Sequence, residues 1–471
     1  MISTLIKKHF SYGVSLLFER SIPLVLLPFY THAFSTVDFG IYSVFIAFWA
    51  IMTFLYTLGL ENGLLKFLQD RNRVSIEGTL FLTILTASLM CTLLIVCIAN
   101  PLSLLFFNTP MYAIHFRILA VLLLMDAMVR CIIFRLLGDQ RTRTYFSLSI
   151  FKGIVLLGAN LLFVVWFRWG LYGIWMATFF PSLFILIYFL MTDFVAIRWS
   201  FDRSQLGRLW SYGFPLMISS VLLTILHSFD RFMVQHWMGA EATGFYSVAY
   251  RLAFVLQMSI VAFNMGGIPF LSEQKKSDDD ISILFHKMLV YMTGFTLALA
   301  LLIGLWIPRF VSISIGGFSL IPASYQQAFP LIPMILLAYT FFAIYNGIGF
   351  LFYHHEKTSY FIRSASIGVI LNVAANAVLI PRFGLWGAAF ATALAFAVMA
   401  VLMHFWAMRL FPIRCAWRSI LILTAWIYCL LVFAQKGMFS ILPQILITLA
   451  GLLSITFWIG IQMRRRKEAN A

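Results

Sequence analysis

The chain has 471 residues, 62% hydrophobic and only 11% charged, with a formal net charge of +16. A soluble domain carries about 25% charged residues, so a water-soluble globule is excluded and lipid must be the solvent for most of the surface. The excess of base, which in a soluble chain would point to nucleic acid, is assigned to cytoplasmic loops and to groups placed inside the membrane.

A bilayer core of about 30 Å needs about 20 apolar helical residues at 1.5 Å each. By that ruler the chain is all-α and polytopic, with about fourteen transmembrane helices. The expected spans are 12–34, 39–60, 77–99, 114–137, 145–167, 170–192, 211–235, 244–268, 287–308, 328–353, 358–380, 384–408, 416–435 and 440–463. The first is expected to be retained rather than cleaved, because Glu19-Arg20 interrupts it and no small-x-small site follows. Pro23 and Pro28 break it, and Pro215 is placed in the first turn of the seventh span. Asn346-Gly347-Ile348-Gly349 is expected to loosen the tenth.

Motifs recur in order at a separation of about two hundred residues. Ser11-Tyr12-Gly13 returns as Ser211-Tyr212-Gly213, and Gly40-Ile41-Tyr42-Ser43-Val44 as Gly244-Phe245-Tyr246-Ser247-Val248. Arg168-Trp169-Gly170-Leu171-Tyr172-Gly173 returns as Arg382-Phe383-Gly384-Leu385-Trp386-Gly387, and Ala177-Thr178 as Ala391-Thr392. The expected organisation is a six-helix lobe over 1–192, a cytoplasmic linker over 193–210, a second six-helix lobe over 211–408, and two extra helices with a basic tail over 409–471. Each lobe holds an even number of spans, so the repeats are expected to run parallel, related by an axis along the membrane normal.

With both termini in the cytoplasm, only Arg168, Arg309, Arg382 and Lys436 among the loop bases fall outside, as the positive-inside rule requires. Six bases remain at membrane depth: Arg20, Arg117, Arg130, Lys152, Arg231 and Arg251. The acids at comparable depth are Glu19, Asp126 and Asp230. Each base costs about 2.5–3.5 kcal/mol at mid-membrane. Asp126 and Arg130, four apart on one helix face, are expected to pair. The bland reading of these bases is interhelical ion pairing or snorkelling. The functional reading is a cationic cavity between two lobes that accepts an anion, since the planar arginine fork suits phosphate oxygens. Asp230, Asp126 and Glu19 are the candidates for an ion-coupling site, Asp230 first. The five cysteines show no metal or disulfide spacing, and His354-His355-Glu356 lacks metalloprotease spacing, so no metal or other cofactor is expected.

The stretch Thr31-His32-Ala33-Phe34-Ser35 through Phe39-Gly40-Ile41-Tyr42-Ser43 resembles the polysaccharide biosynthesis transporters, as do Ser11-Tyr12-Gly13, Leu58-Gly59-Leu60, Asp230-Arg231 and Gly244-Phe245-Tyr246. These are lipid-linked oligosaccharide flippases of the O-antigen and capsule type, within the multidrug/oligosaccharidyl-lipid/polysaccharide exporter superfamily. The resemblance implies a non-enzymatic flippase of the bacterial cytoplasmic (inner) membrane. It implies that an undecaprenyl-diphosphate-linked oligosaccharide crosses to the outer leaflet by alternating access. The implied partners are that substrate and membrane lipids, with a polymerase of the same pathway as a further candidate. A monomer without nucleic acid is expected. Two alternatives stand beside it: a cation-coupled drug antiporter of the same superfamily, which calls for an acid-dominated cavity, and a membrane polymerase or ligase, which calls for a catalytic outer loop. The outer loops here offer almost only Asp38 and Glu241 as acids.

Overall fold

A computed structural model describes residues 18–67, 73–195, 197, 199–272, 278–315, 318–355, 357–411, 417–436 and 441–468. The Ser11-Tyr12-Gly13 motif, Glu356 and Cys415 lie outside them. The chain is helical almost throughout. A two-residue antiparallel pair, β1 (Ser314–Ile315) with β2 (Phe318–Ser319), interrupts one loop, and a short tight helix, Ala323–Leu331, follows it. Residue contacts divide the chain into two compact units, Met1–Gly244 and Phe245–Ala471.

The first unit opens on the helical stretch 18–25, which turns at Leu26 and restarts as α1 (Leu27–Ala33) with Pro28 in its first turn. Proline costs least there, where no backbone N–H is needed. α2 (Thr36–Thr57) is capped by Ser35, whose Oγ accepts from the Asp38 backbone N–H at 3.1 Å. Left-handed Leu58 (φ 52°) ends it, and Gly59 (φ 67°) turns the chain into α3 (Leu60–Phe67). Then come α4 (Arg73–Cys97), α5 (Ala99–Phe107), α6 (Ala113–Gly138), α7 (Thr142–Asn160) and α8 (Gly170–Thr192). A wide helical turn over Leu161–Trp166 extends α7. α9 (Arg203–Ser228) is capped by Asp202 through Ser204 N at 2.9 Å. It therefore begins within the stretch read as linker, and Pro215 lies inside it rather than in its first turn. α10 (Asp230–Ser272) is bent at Gly239, whose φ of 83° no other residue type adopts at so little cost.

α6 is the hub of this unit, packed against α2, α3, α4, α7 and α8. The repeated glycines Gly40 and Gly244 meet where α2 crosses α10. A Cβ on Gly40 would strike the Ala240 carbonyl, and one on Gly244 the Thr36 carbonyl. The two copies of this motif are thus the small residues that let two membrane helices touch backbone to backbone.

The second unit continues α10 and adds α11 (Asp278–Ser312), α12 (Ile332–His354), α13 (Ser359–Phe383), α14 (Leu385–Leu410), α15 (Trp417–Lys436) and α16 (Ile441–Glu468). α12 is unbroken through Asn346-Gly347-Ile348-Gly349. α14 buries an alanine-rich face, from Ala388 to Ala407, against α12 and α13. α16 docks on α11 and α15, with Trp306 Nε1 donating to Thr448 Oγ1 at 3.0 Å and Gln462 Nε2 to Ser419 Oγ at 3.0 Å. Gly170 and Gly384, counterparts in the repeat, both take φ of 58°, the one as the first residue of α8 and the other just before α14.

Among the described residues, eleven helices are long and apolar enough to cross a membrane. Three of the fourteen expected spans do not enter that count. The first starts outside the described residues and breaks at Leu26. α6 carries Arg117, Asp126, Arg130 and Arg135 along one helix. The two spans expected at 211–235 and 244–268 lie in one helical run, 203–264.

Candidate functional site

The membrane-depth charges of the first unit gather in two places. In the first, Arg130 Nε donates to Asp126 Oδ2 at 2.9 Å, one turn apart on α6 as expected. Their side chains are 35% and 14% exposed. Lys152 of α7 lies within electrostatic range of Asp126, and Glu19 and Glu61 within range of Arg130. Glu61 is only 2% exposed. It was missed as a site residue because it falls one position past the expected end of the second span. The step at Leu58-Gly59 carries it back into the unit instead. A legible signal existed: an acid set directly after the apolar second span, with Thr53 and Thr57 shortly before it. Its presence corrects the charge balance. Among the described residues, three carboxyls, on Glu19, Glu61 and Asp126, lie within electrostatic range of Arg130 or Lys152, so base is not in excess here.

The second place is the junction of α9 and α10. Asp230 is fully buried, and its Oδ1 accepts from the Arg231 backbone N–H at 2.9 Å. Arg231 Nη1 donates to the His227 carbonyl at 2.6 Å and lies 3.5 Å from Asp230 Oδ1. Arg20 reaches the same neighbourhood, for both guanidiniums act on the His227 ring. The other two expected site residues stand apart. Arg117 is exposed on α6 and donates to Asn100 Oδ1 at 3.3 Å. Arg251 is half-buried on the α10 segment of the second unit.

A third ionic group closes one end of the first unit. Arg135 donates to Glu77 Oε2 at 3.2 Å and lies 3.2 Å from Asp193 Oδ1, which also accepts from Arg141 Nη1 at 2.8 Å. Burial raises the Asp193 carboxyl, but the Arg141 hydrogen bond and the Arg135 and Arg141 charges outweigh it and hold it below the ordinary value. The chain beyond Asp193 is tied down as well. Thr79 Oγ1 accepts from Asp202 N at 2.9 Å, and Ser75 Oγ donates to Asp202 Oδ2 at 3.3 Å. The four described cysteines are free, and no group among the described residues could hold a metal ion.

This architecture is that of a multi-pass helical membrane protein. The structure is similar to the lipid II flippase MurJ in its inward closed conformation, with a TM-score of 0.73 at 15% identity, covering 94% of this chain and 97% of that one. It is also similar to an inward-facing multidrug resistance MATE family transporter of the MOP superfamily, with a TM-score of 0.68 at 12% identity, covering 83% and 94%. A MOP superfamily transporter from Pyrococcus furiosus matches with a TM-score of 0.62 at 11% identity, covering 86% and 95%. The family is fixed by sequence: the model for polysaccharide biosynthesis proteins matches residues 5–275, and the chain belongs to that family. An uncharacterized membrane protein of Methanocaldococcus jannaschii is 26% identical over 259 residues, 52% of this chain. The match spans about half, 46%, of that relative's length.

Proposed function

We propose that the protein is a flippase for an undecaprenyl-diphosphate-linked oligosaccharide, moving it from the cytoplasmic to the outer leaflet for assembly of O-antigen or another surface polysaccharide. One observation carries most weight: Arg20 and Arg231 both lie within electrostatic range of His227, with Asp230 beside Arg231. Arginines held at membrane depth are costly and are retained there for a reason. Bidentate donors match the oxygens of a diphosphate. Arg117, Arg130, Lys152 and Arg251 complete the proposed substrate-binding set, and Asp230, Asp126 and Glu19 the ion-coupling set. The reading places the protein in a bacterial inner membrane with both termini cytoplasmic, working as a monomer beside a polymerase of its pathway, without catalysing a covalent step. It keeps the two parallel six-helix lobes and treats α15 and α16 as additions to them.

A second reading, a cation-coupled small-molecule antiporter, is favoured by the carboxyl surplus around Arg130. Binding separates the two. Native mass spectrometry of the protein with undecaprenyl diphosphate should show a complex that Arg20→Gln and Arg231→Gln each weaken about tenfold or more, the loss of about one charge-assisted hydrogen bond. Equal retention of the lipid by wild type and both variants would remove the reading's support.

A further inference from the structure

The repeated motif Arg168-Trp169-Gly170-Leu171-Tyr172-Gly173 and Arg382-Phe383-Gly384-Leu385-Trp386-Gly387 builds the same helix crossing twice and fills it differently. In both copies the last glycine lets two backbones touch. A Cβ on Gly173 would strike the Phe163 carbonyl, and one on Gly387 the Leu379 carbonyl. In the first unit the rings of the motif are packed. Trp169 stacks on Phe163 with centroids 5.1 Å apart, and Tyr172 lies against His115, the third residue of α6, at 4.7 Å. His115 is fixed in turn by Trp175, whose Nε1 donates to its Nδ1 at 3.0 Å. In the second unit the third residue of α12 is Met334. Phe383 and Trp386, the counterparts of Trp169 and Tyr172, have no ring partner among the described residues, and neither has Phe390. The space between them stays open. It is a groove of about 310 Å³ with an apolar lining of Met334, Leu379, Phe383, Trp386, Gly387 and Phe390.

The groove starts where α13 ends and α14 begins, and follows each helix for about 6 Å, four residues at 1.5 Å. Arg382 stands at this end, in the last turn of α13. It is exposed and makes no ion pair or side-chain hydrogen bond among the described residues. A free cation at the mouth of a dry slot matches an amphiphile with an anionic head and a hydrocarbon chain. A partner helix, about 10 Å across with its side chains, is too wide to enter. Lipid tails are as apolar as the walls, so the chain fits by contact and the head decides the preference. We infer that this groove binds one acyl chain of an anionic phospholipid, whose phosphate is held by Arg382. The copy in the first unit, filled by its own rings, has no such site. The inference concerns the second unit alone and does not rest on the flippase reading.

The test is photo-labelling of the full chain in phosphatidylcholine vesicles. The probe is phosphatidylglycerol or phosphatidylcholine with a diazirine near the carboxyl end of one chain, and the label is mapped by peptide mass spectrometry. Leu93 and Leu94 of α4, both exposed, report contact with bulk lipid. The ratio of groove label to α4 label should be about fivefold higher with phosphatidylglycerol, as expected for one base facing an anionic head. Arg382→Gln should erase that difference. Met334→Phe, which fills the groove from α12, should cut groove label with both probes. Equal ratios in wild type, a preference that survives Arg382→Gln, or groove label untouched by Met334→Phe would each overturn the inference. So would stronger groove labelling by a diazirine-bearing undecaprenyl diphosphate, which would give the groove to a polyprenyl tail. Should Met334→Phe not fold, the exposed Arg382→Gln decides it.

Discussion

Arg135 offers the sharpest test of the energetics. Its side chain is 8% exposed and bridges Glu77 (6%) and Asp193 (10%). Arg135→Met keeps the bulk of the stem but leaves Glu77 buried without its bridging arginine and leaves Asp193 to Arg141 alone. Removing one partner of a buried pair costs about 3–5 kcal/mol, because the remaining ion stays uncompensated. Arg141 makes the shorter contact to Asp193, at 2.8 Å, but its side chain is 38% exposed. Solvent screening cuts Arg141→Ala to about 0.2–1 kcal/mol. The order is therefore opposite to the order of distances. Tryptophan-fluorescence unfolding in detergent should show a much larger loss for Arg135→Met than for Arg141→Ala. Glu77→Gln combined with Arg135→Met should cost less than the two changes added, by about 1 kcal/mol or more. Equal losses for Arg135→Met and Arg141→Ala, or strict additivity in the double variant, would refute the reasoning.

The same network predicts a pH dependence. Asp193 is held below its ordinary value of 3.8, so its stabilisation is complete above that pH and is lost as pH falls through the lower folded-state value; Asp193→Asn should abolish this acid-side loss in pH-dependent melting. At the α2–α10 crossing, Gly244→Val drives a side chain into the Thr36 carbonyl and should lower stability by about 1–3 kcal/mol, read as folded yield and melting temperature. Asp230→Asn should abolish stimulation of flipping by an imposed ion gradient while leaving gradient-free exchange and folded yield intact. Unchanged gradient dependence would show that Asp230 is not the coupling group, and failure to fold would mark it as the ion-pair partner of Arg231.

Much of the architecture is legible in the sequence, because a bilayer imposes length and polarity on every span. The glycine motifs proved informative beyond their pattern, since Gly40 and Gly244 meet in a crossing that no larger residue allows. The Asp126–Arg130 pair was legible because helical spacing alone places the two on one face. The span expected at 114–137 is α6, legible to within one residue at each end although it carries four charged residues. Hydropathy could not place Glu61, since a left-handed backbone step is a property of two dihedral angles at Leu58 and Gly59 rather than of composition. The Asp193 contacts were out of reach for a related reason. They join residues about fifty to sixty positions apart, and the Asp202–Thr79 contact joins residues more than a hundred apart, through a loop with no periodicity to read.

The central claim, movement of a lipid-linked oligosaccharide, is tested most directly by reconstitution. Protein in liposomes loaded with a fluorescent undecaprenyl-diphosphate oligosaccharide should make the inner-leaflet sugar accessible to an external glycosidase. Arg20→Gln and Arg231→Gln, at equal folded protein, should slow that exposure about tenfold or more, as expected for about 1.4 kcal/mol or more of lost transport-state binding. Exposure no faster than in protein-free liposomes, or a rate unchanged by both substitutions, would contradict the account.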